Sequence, residues 1–94
     1  MEPMEIDMLE LIKQALQISG DGYDDLLSHY VDDCILSMEK LGITVNETDA
    51  QIRTAVIAYC GWHVGGNEAT PDEYKRIYDE KLAELKMQTG YTTW

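Results

Sequence analysis

Residues 55–67 read AVIAYCGWHVGGN. A run of apolar and aromatic side chains stops at Gly65-Gly66-Asn67. Glycine and asparagine end helices because they enter the left-handed conformation that a helix terminus often needs. Upstream, Ile52, Ala55, Val56, Tyr59, Cys60 and His63 recur at three- and four-residue steps and trace one helical face. Ile57, Ala58 and Val64 add apolar surface elsewhere, so this helix is expected to be buried on several sides. Thr48 is its expected N-cap, with Gln51 as the reciprocal partner. Gly61 interrupts the run at a cost of about 1 kcal/mol relative to alanine. A glycine there serves close helix approach, or is simply slack.

Toward the N-terminus, the stretch GDGYDDLLSHYV opens another helix, expected from Asp21 or Tyr23 to about Leu41. Asp21, Asp24 and Asp25 suit the positive end of a helix dipole. Leu27, Tyr30, Val31, Cys34, Ile35, Met38 and Leu41 form its apolar face, widened by Leu26, with Asp32 and Asp33 on the other side. Gly42 is a natural C′ residue, and Ile43 is placed to pack back on the helix end. Ile43-Thr44-Val45 is too short to read as a strand. The first helix is expected from Met8 to about Gln17, with Asp7 as N-cap, Glu10 as its partner and Ile6 stapled to Leu11. Its stripe is Met8, Leu11, Ile12, Ala15 and Leu16, and Gly20-Asp21-Gly22 makes the turn that follows.

The last helix has the clearest start. Thr70, Pro71 and Glu73 occupy the N-cap, N1 and N3 positions. Tyr74, Ile77, Tyr78, Lys81, Leu82 and Leu85 describe its inward face, Asp72 and Arg76 make an i,i+4 pair, and Gly90 is the stop. Lys81 is expected to lay its stem on the core and keep its amine wet. Tyr91 and Trp94 follow that stop in the tail TGYTTW. The reading is an all-α fold: one domain over residues 1–94, a small bundle of about four helices with short loops and a C-terminal aromatic tail.

The chain carries 18 acidic and 7 basic residues, a formal net charge of −11. That excess argues against primary nucleic-acid binding, which needs a positive footprint. It suits either the coat of a soluble monomer or the lining of a channel through which nucleic acid slides without sticking. Cys34 and Cys60 sit in apolar helical patterns and are read as buried thiols in a reducing compartment; an interhelical disulfide would require close, correctly directed Cβ atoms. The acidic start MEPMEIDM does not resemble a signal peptide, and no apolar run reaches the length of a membrane span. A cytosolic product is expected.

No catalytic constellation stands out. The acidic pairs Asp24-Asp25 and Asp32-Asp33 are neighbours on one helix, where carboxylates do not converge on a metal or a glycosidic bond. The stretch from Asp21 lacks calcium-loop spacing, and Gly65-Gly66 follows a helix without phosphate-loop spacing. Cys60 and His63, three apart, are a conceivable thiolate–imidazole pair without an orienting partner. A local hydrogen bond or the helix C-terminus is the expected role for His63, and His29 is expected to be partly exposed. The tyrosines on helical faces are read as core. Tyr91 and Trp94 are the candidate interface residues, packed either within the chain or on a neighbour. No cofactor, metal or catalytic residue is expected.

Two stretches, LELIKQALQISGDGYDDLLSHYVDDCILSMEKL and IRTAVIAYCGWHVGGNE, resemble the small head–tail connector, or adaptor, proteins of long-tailed bacteriophages and prophages. The shared pattern is a leucine-lysine helix (Leu11 to Lys13), an exit at Leu16 to Ile18, an acidic turn at Gly20-Asp21, and Asp24 to Leu27 opening the next helix. The later run, Ala55 to Val64, ends in Trp62-His63. Val64 stands where the family commonly has a second aromatic, and Gly65-Gly66-Asn67-Glu68 lacks the arginine that often follows. The resemblance covers roughly residues 6–68 and rests on packing and capping patterns. It implies a non-enzymatic virion protein at the head–tail junction, assembled in the bacterial host cytoplasm. It implies a ring of about a dozen copies, closed by cyclic symmetry, bound to the phage portal protein and to a stopper or tail-completion protein. It implies neither sequence-specific nucleic-acid binding nor membrane attachment. Asp32 and Asp33 are the expected acidic channel or surface residues. The competing expectation is a small acidic interaction or regulatory module, DNA-mimic or anti-repressor-like, acting as monomer or dimer; a connector-fold prophage remnant without a working partner is a third.

Overall fold

The structure, a computed structural model, describes residues 8–46, 49–65 and 69–87. These hold four helices: α1 (Met8–Leu16), α2 (Asp24–Lys40), α3 (Ala50–Val64) and α4 (Pro71–Met87). No strand occurs among the described residues, and none of their helices is long and apolar enough to cross a membrane. The fold is an all-α bundle.

Each helix end follows from local chemistry. Backbone N–H of Ile18 reaches Lys13 O at 2.9 Å, and that of Gln17 reaches Gln14 O at 3.3 Å. This closes α1 with a Schellman motif whose left-handed residue is Gln17, at φ 58°. α1 thus ends at Leu16, within one residue of the expected end near Gln17, and α2 begins at Asp24 rather than at Asp21 or Tyr23. Asp21 instead accepts the Asp24 N–H at 3.2 Å in the intervening turn. The far end of α2 repeats the Schellman pattern with the expected glycine: Gly42 N–H bonds Glu39 O, and Ile43 N–H bonds Met38 O, each at 3.0 Å. Gly42 has φ 84°, and Ile43 folds back into the core at 2% exposure.

The cap of α3 is displaced by one residue from expectation. Asp49, not Thr48, is the N-cap, and its Oδ1 accepts the Gln51 N–H at 2.8 Å. Gln51 is thus the N2 donor and not an N3 acceptor. Aspartate caps as well as threonine, and the Asp49 N–H is itself bonded to Asn46 O at 2.9 Å, which fixes the entry turn. The start of α4 is the expected capping box: Thr70 N–H to Glu73 Oε1 at 2.8 Å and Glu73 N–H to Thr70 Oγ1 at 3.2 Å. The i,i+4 ion pair on α4 is Lys75–Asp79, not Asp72–Arg76. Lys81 is half-buried along its stem and its amine reaches Glu84 at 3.0 Å. Asp7, Ile6, Thr48, Gly90, Tyr91 and Trp94 lie outside the described residues.

α3 is the axis of the bundle. It packs against α1, α2 and α4 and buries Ile52, Ala55, Val56, Ala58, Tyr59, Cys60 and Gly61. α1 contributes Met8, Ile12 and Leu16, α2 contributes Leu27, Cys34 and Met38, and α4 contributes Tyr74, Tyr78 and Leu85. The contacts Tyr30–His63 and Asp33–Tyr59 run in opposite chain directions, as do Tyr59–Tyr78 and Gly61–Tyr74, so α2 and α3 are antiparallel and so are α3 and α4. Gly61 is where α4 comes closest: a Cβ there would stand 2.6 Å from Tyr74 Cγ. The glycine serves close approach.

The body measures 41 × 39 × 19 Å. Helices pack 8–10 Å apart, so the short dimension is little more than two helices deep. A body this thin leaves α2 with an uncovered side. Leu26 and Leu36 of α2 and its C-cap Leu41 are exposed, although Leu26 and Leu41 read as part of the apolar face. Tyr23 is half exposed instead of in the core.

Candidate interaction surface

The polar and aromatic groups of the molecule gather where α3 ends between α2 and α4. Tyr59 and Trp62 on α3 meet Tyr78 on α4, with ring centroids 5.1 and 6.1 Å away. On the opposite flank Tyr30 of α2 stacks flat against His63, centroids 4.9 Å apart and planes 8° from parallel. Tyr59 lies beneath both, 4.5 Å from His63. Edge-to-face and stacked aromatic pairs each add about 0.5–1.5 kcal/mol beyond their buried area. The array therefore ties α2, α3 and α4 together. Helical spacing produces it: Tyr59, Trp62 and His63 are separated by three and four residues, so their rings share one side of α3.

His63 was expected on the buried face of α3, and its ring is exposed. His63 lies on the α2 side of the last turn of α3, where it stacks on Tyr30 rather than entering the core. This also separates the one nucleophile–base pair the sequence offered. Cys60 is fully buried, while His63 lies on the outside against Tyr30.

Both cysteines are free. Burial pushes the Cys60 thiol up to about 12. Burial also pushes the Cys34 thiol up to about 12, partly offset by the Tyr78 hydroxyl that faces it. Thiolates are the reactive form of cysteine, so neither side chain is poised as a nucleophile. The Tyr78 hydroxyl is raised by its own burial and by Cys34. Among the described residues no three His, Cys, Asp or Glu side chains group so as to hold a metal ion.

Asp32 and Asp33 part company. Asp32 is exposed. Asp33 is half-buried and accepts a hydrogen bond from the Tyr59 hydroxyl. It does not face away from the core as the periodicity implied. At its position on α2 it borders the seam with α3, where Tyr59 supplies a donor. Burial and the Asp33 carboxylate together raise the Tyr59 hydroxyl above its ordinary value. A hydrogen bond to a charged group contributes about 1.5–3 kcal/mol.

A second cross-helix contact joins the end of α1 to the start of α2. Lys13 Nζ lies 2.8 Å from Asp24 Oδ1 with the lysine stem largely covered. The hydrogen bond to Asp24 holds the ammonium above the ordinary lysine value. Neither contact was legible as a pair, since each joins residues on different helices. What the sequence did offer was an isolated lysine within the α1 stripe region and a tyrosine at the centre of α3.

His29 is exposed, its ring 5.3 Å from that of Tyr30. Gly65 ends α3 at φ 93°. Tyr91 and Trp94, the candidate interface residues, lie outside the described residues. No family model, curated protein or solved structure matches the chain.

Proposed function

We propose that this chain is a head–tail connector of a long-tailed phage or prophage: a structural protein that binds the portal as an oligomeric ring and links the filled head to stopper or tail proteins. The observation that carries the reading is the Lys13–Asp24 clasp. Both of its members belong to the motifs on which the resemblance rests, the leucine-lysine helix and the Asp-Asp-Leu-Leu start. In this fold those motifs are two consecutive helices, α1 and α2, joined by the acidic turn. A net charge of −11 supports the reading further, because an acidic lumen does not retain an outgoing genome. Asp32 is the better candidate for such a lumen, since Asp33 is engaged by Tyr59. Tyr91 and Trp94 are proposed as the contact to a neighbouring subunit or to the portal.

The test is light scattering of the protein with and without a portal ring. Closure into a ring, or saturable capture by the portal, is the expected result. A monomer that ignores portal rings overturns the reading. It would favour the alternative of a small acidic interaction module, for which the exposed aromatic surface at the α2–α3 seam is the specific support.

A further inference from the structure

The seam between α2 and the end of α3 presents aromatic and apolar groups that the bundle leaves uncovered. His63 is exposed, and Tyr30 and Trp62 are half-buried on either side of it. The His63 ring lies 4.9 Å from Tyr30 and 4.3 Å from Trp62. Leu26, one helical turn before Tyr30 on the same side of α2, is 42% exposed. Asp33, one turn after Tyr30, is half-buried at the inner edge. Five side chains from two helices thus make one continuous surface with a carboxylate at its margin.

The surroundings carry more acidic than basic side chains. The antiparallel order brings the starts of α2 and α4 to the end where α3 finishes. Asp24 and Asp25 stand in the first turn of α2 and Asp72 and Glu73 in that of α4, where their full charges outweigh the partial positive poles of those two helix starts, and the last carbonyls of α3 add a negative pole. Of the cations near this end, Lys13 is paired with Asp24, Lys75 with Asp79, and Arg76 lies within electrostatic reach of Glu73. The ring faces already hold one cation: Lys75 Nζ lies 5.4 Å from the Trp62 ring centre. A like-charged second copy or a nucleic acid would be repelled from such a surface, whereas a cationic segment is drawn to it.

We propose that this seam docks an arginine-bearing segment of a partner protein. Guanidinium suits the site better than ammonium because it is planar, stacks on aromatic faces and bridges carboxylates with paired N–H donors. The Asp33 carboxylate accepts from Tyr59 but has further lone pairs for such a donor. Leu26 supplies the apolar contact beside it. The inference does not rest on the connector reading: failure of portal capture leaves it standing, and its own failure leaves the portal test standing.

The experiment is titration of the full chain with a short helical peptide bearing arginine and leucine, followed by NMR. Parallel titrations use the lysine-for-arginine peptide and a glutamate-bearing one. Saturable shifts at Leu26, Tyr30, Trp62 and His63 are expected. His63→Ala, at an exposed position, should retain the helical circular dichroism of the parent and lose about ten-fold in affinity, on the scale of one stacked cation contact. The lysine peptide should bind several-fold more weakly, and Asp72→Asn should change affinity by less than the His63 variant. Shifts spread evenly over the acidic side chains would overturn the proposal. So would equal binding of the lysine peptide, or an Asp72→Asn loss as large as that of His63→Ala.

Discussion

At Gly61 a single missing methyl decides how two helices meet. In isolation the residue is a defect, since glycine costs a helix interior about 1 kcal/mol against alanine. In the bundle it lets the Tyr74 ring lie against the α3 backbone. An added Cβ would be 2.6, 2.7 and 2.8 Å from Cγ, Cδ1 and Cδ2 of Tyr74. Those atoms are the root of the ring, not a free end that swings aside. Overpacking of this kind costs about 1–3 kcal/mol, which outweighs the gain in helix propensity. Gly61→Ala is expected to lower stability by about 1–2 kcal/mol in equilibrium urea unfolding; an unchanged or higher midpoint would show that α4 yields freely. The sequence raised close approach as one of two readings of this glycine. Tyr74 on a different helix settled which one holds.

At the scale of elements, the termini show how far local chemistry reaches. The capping box of α4 was fully legible because all its atoms lie within four consecutive residues, Thr70 to Glu73. The Schellman close of α2 was legible for the same reason. α3 is the instructive case. Thr48 and Asp49 are adjacent and chemically equivalent caps, and a one-residue choice between them depends on how the preceding turn is anchored. Asp49→Ala is expected to cost about 1 kcal/mol. For a domain of this size that lowers the thermal midpoint by about 4–8 °C. Asp49→Asn, which keeps the side-chain acceptor, should recover most of it. A neutral Asp49→Ala would place the effective cap elsewhere. The end of α1 near Gln17 was legible from the apolar stripe, but its closure by a left-handed glutamine was not, because that conformation is unusual for a residue with a Cβ. It is held there by the burial of Leu16 and the half-burial of Ile18 on either side of it.

Across the whole molecule, burial couples four titratable groups to folding. Cys34 and Cys60 are raised from 9.0 to about 12, and the hydroxyls of Tyr59 and Tyr78 also rise above their ordinary 10.0. These groups stay protonated in the fold at pH values where the unfolded chain would release the protons. Their contribution to stability is therefore complete below the ordinary values and lost as pH climbs from about 9 toward 12. Thermal unfolding across that range should show a falling midpoint, and Cys60→Ala should make the fall shallower. A midpoint independent of pH above 9 would mean that the thiols ionise equally in both states. A second property of the whole molecule is its thinness, 19 Å in the short direction. It leaves an aromatic seam in solvent that a thicker bundle would have covered.

By itself the sequence determined the class of fold, the number and order of helices and most of their buried faces. Those depend on periodicity and on termini, which are properties of neighbouring residues. It also determined the net charge of −11. The tertiary structure alone decided which polar side chains matter. Asp33 leaves its predicted solvent face for Tyr59, His63 leaves the core for Tyr30, and Lys13 finds Asp24 across a turn. Each of these pairs joins residues on different helices. Their meeting is set by how closely and in what register the helices pack, and no local pattern records that.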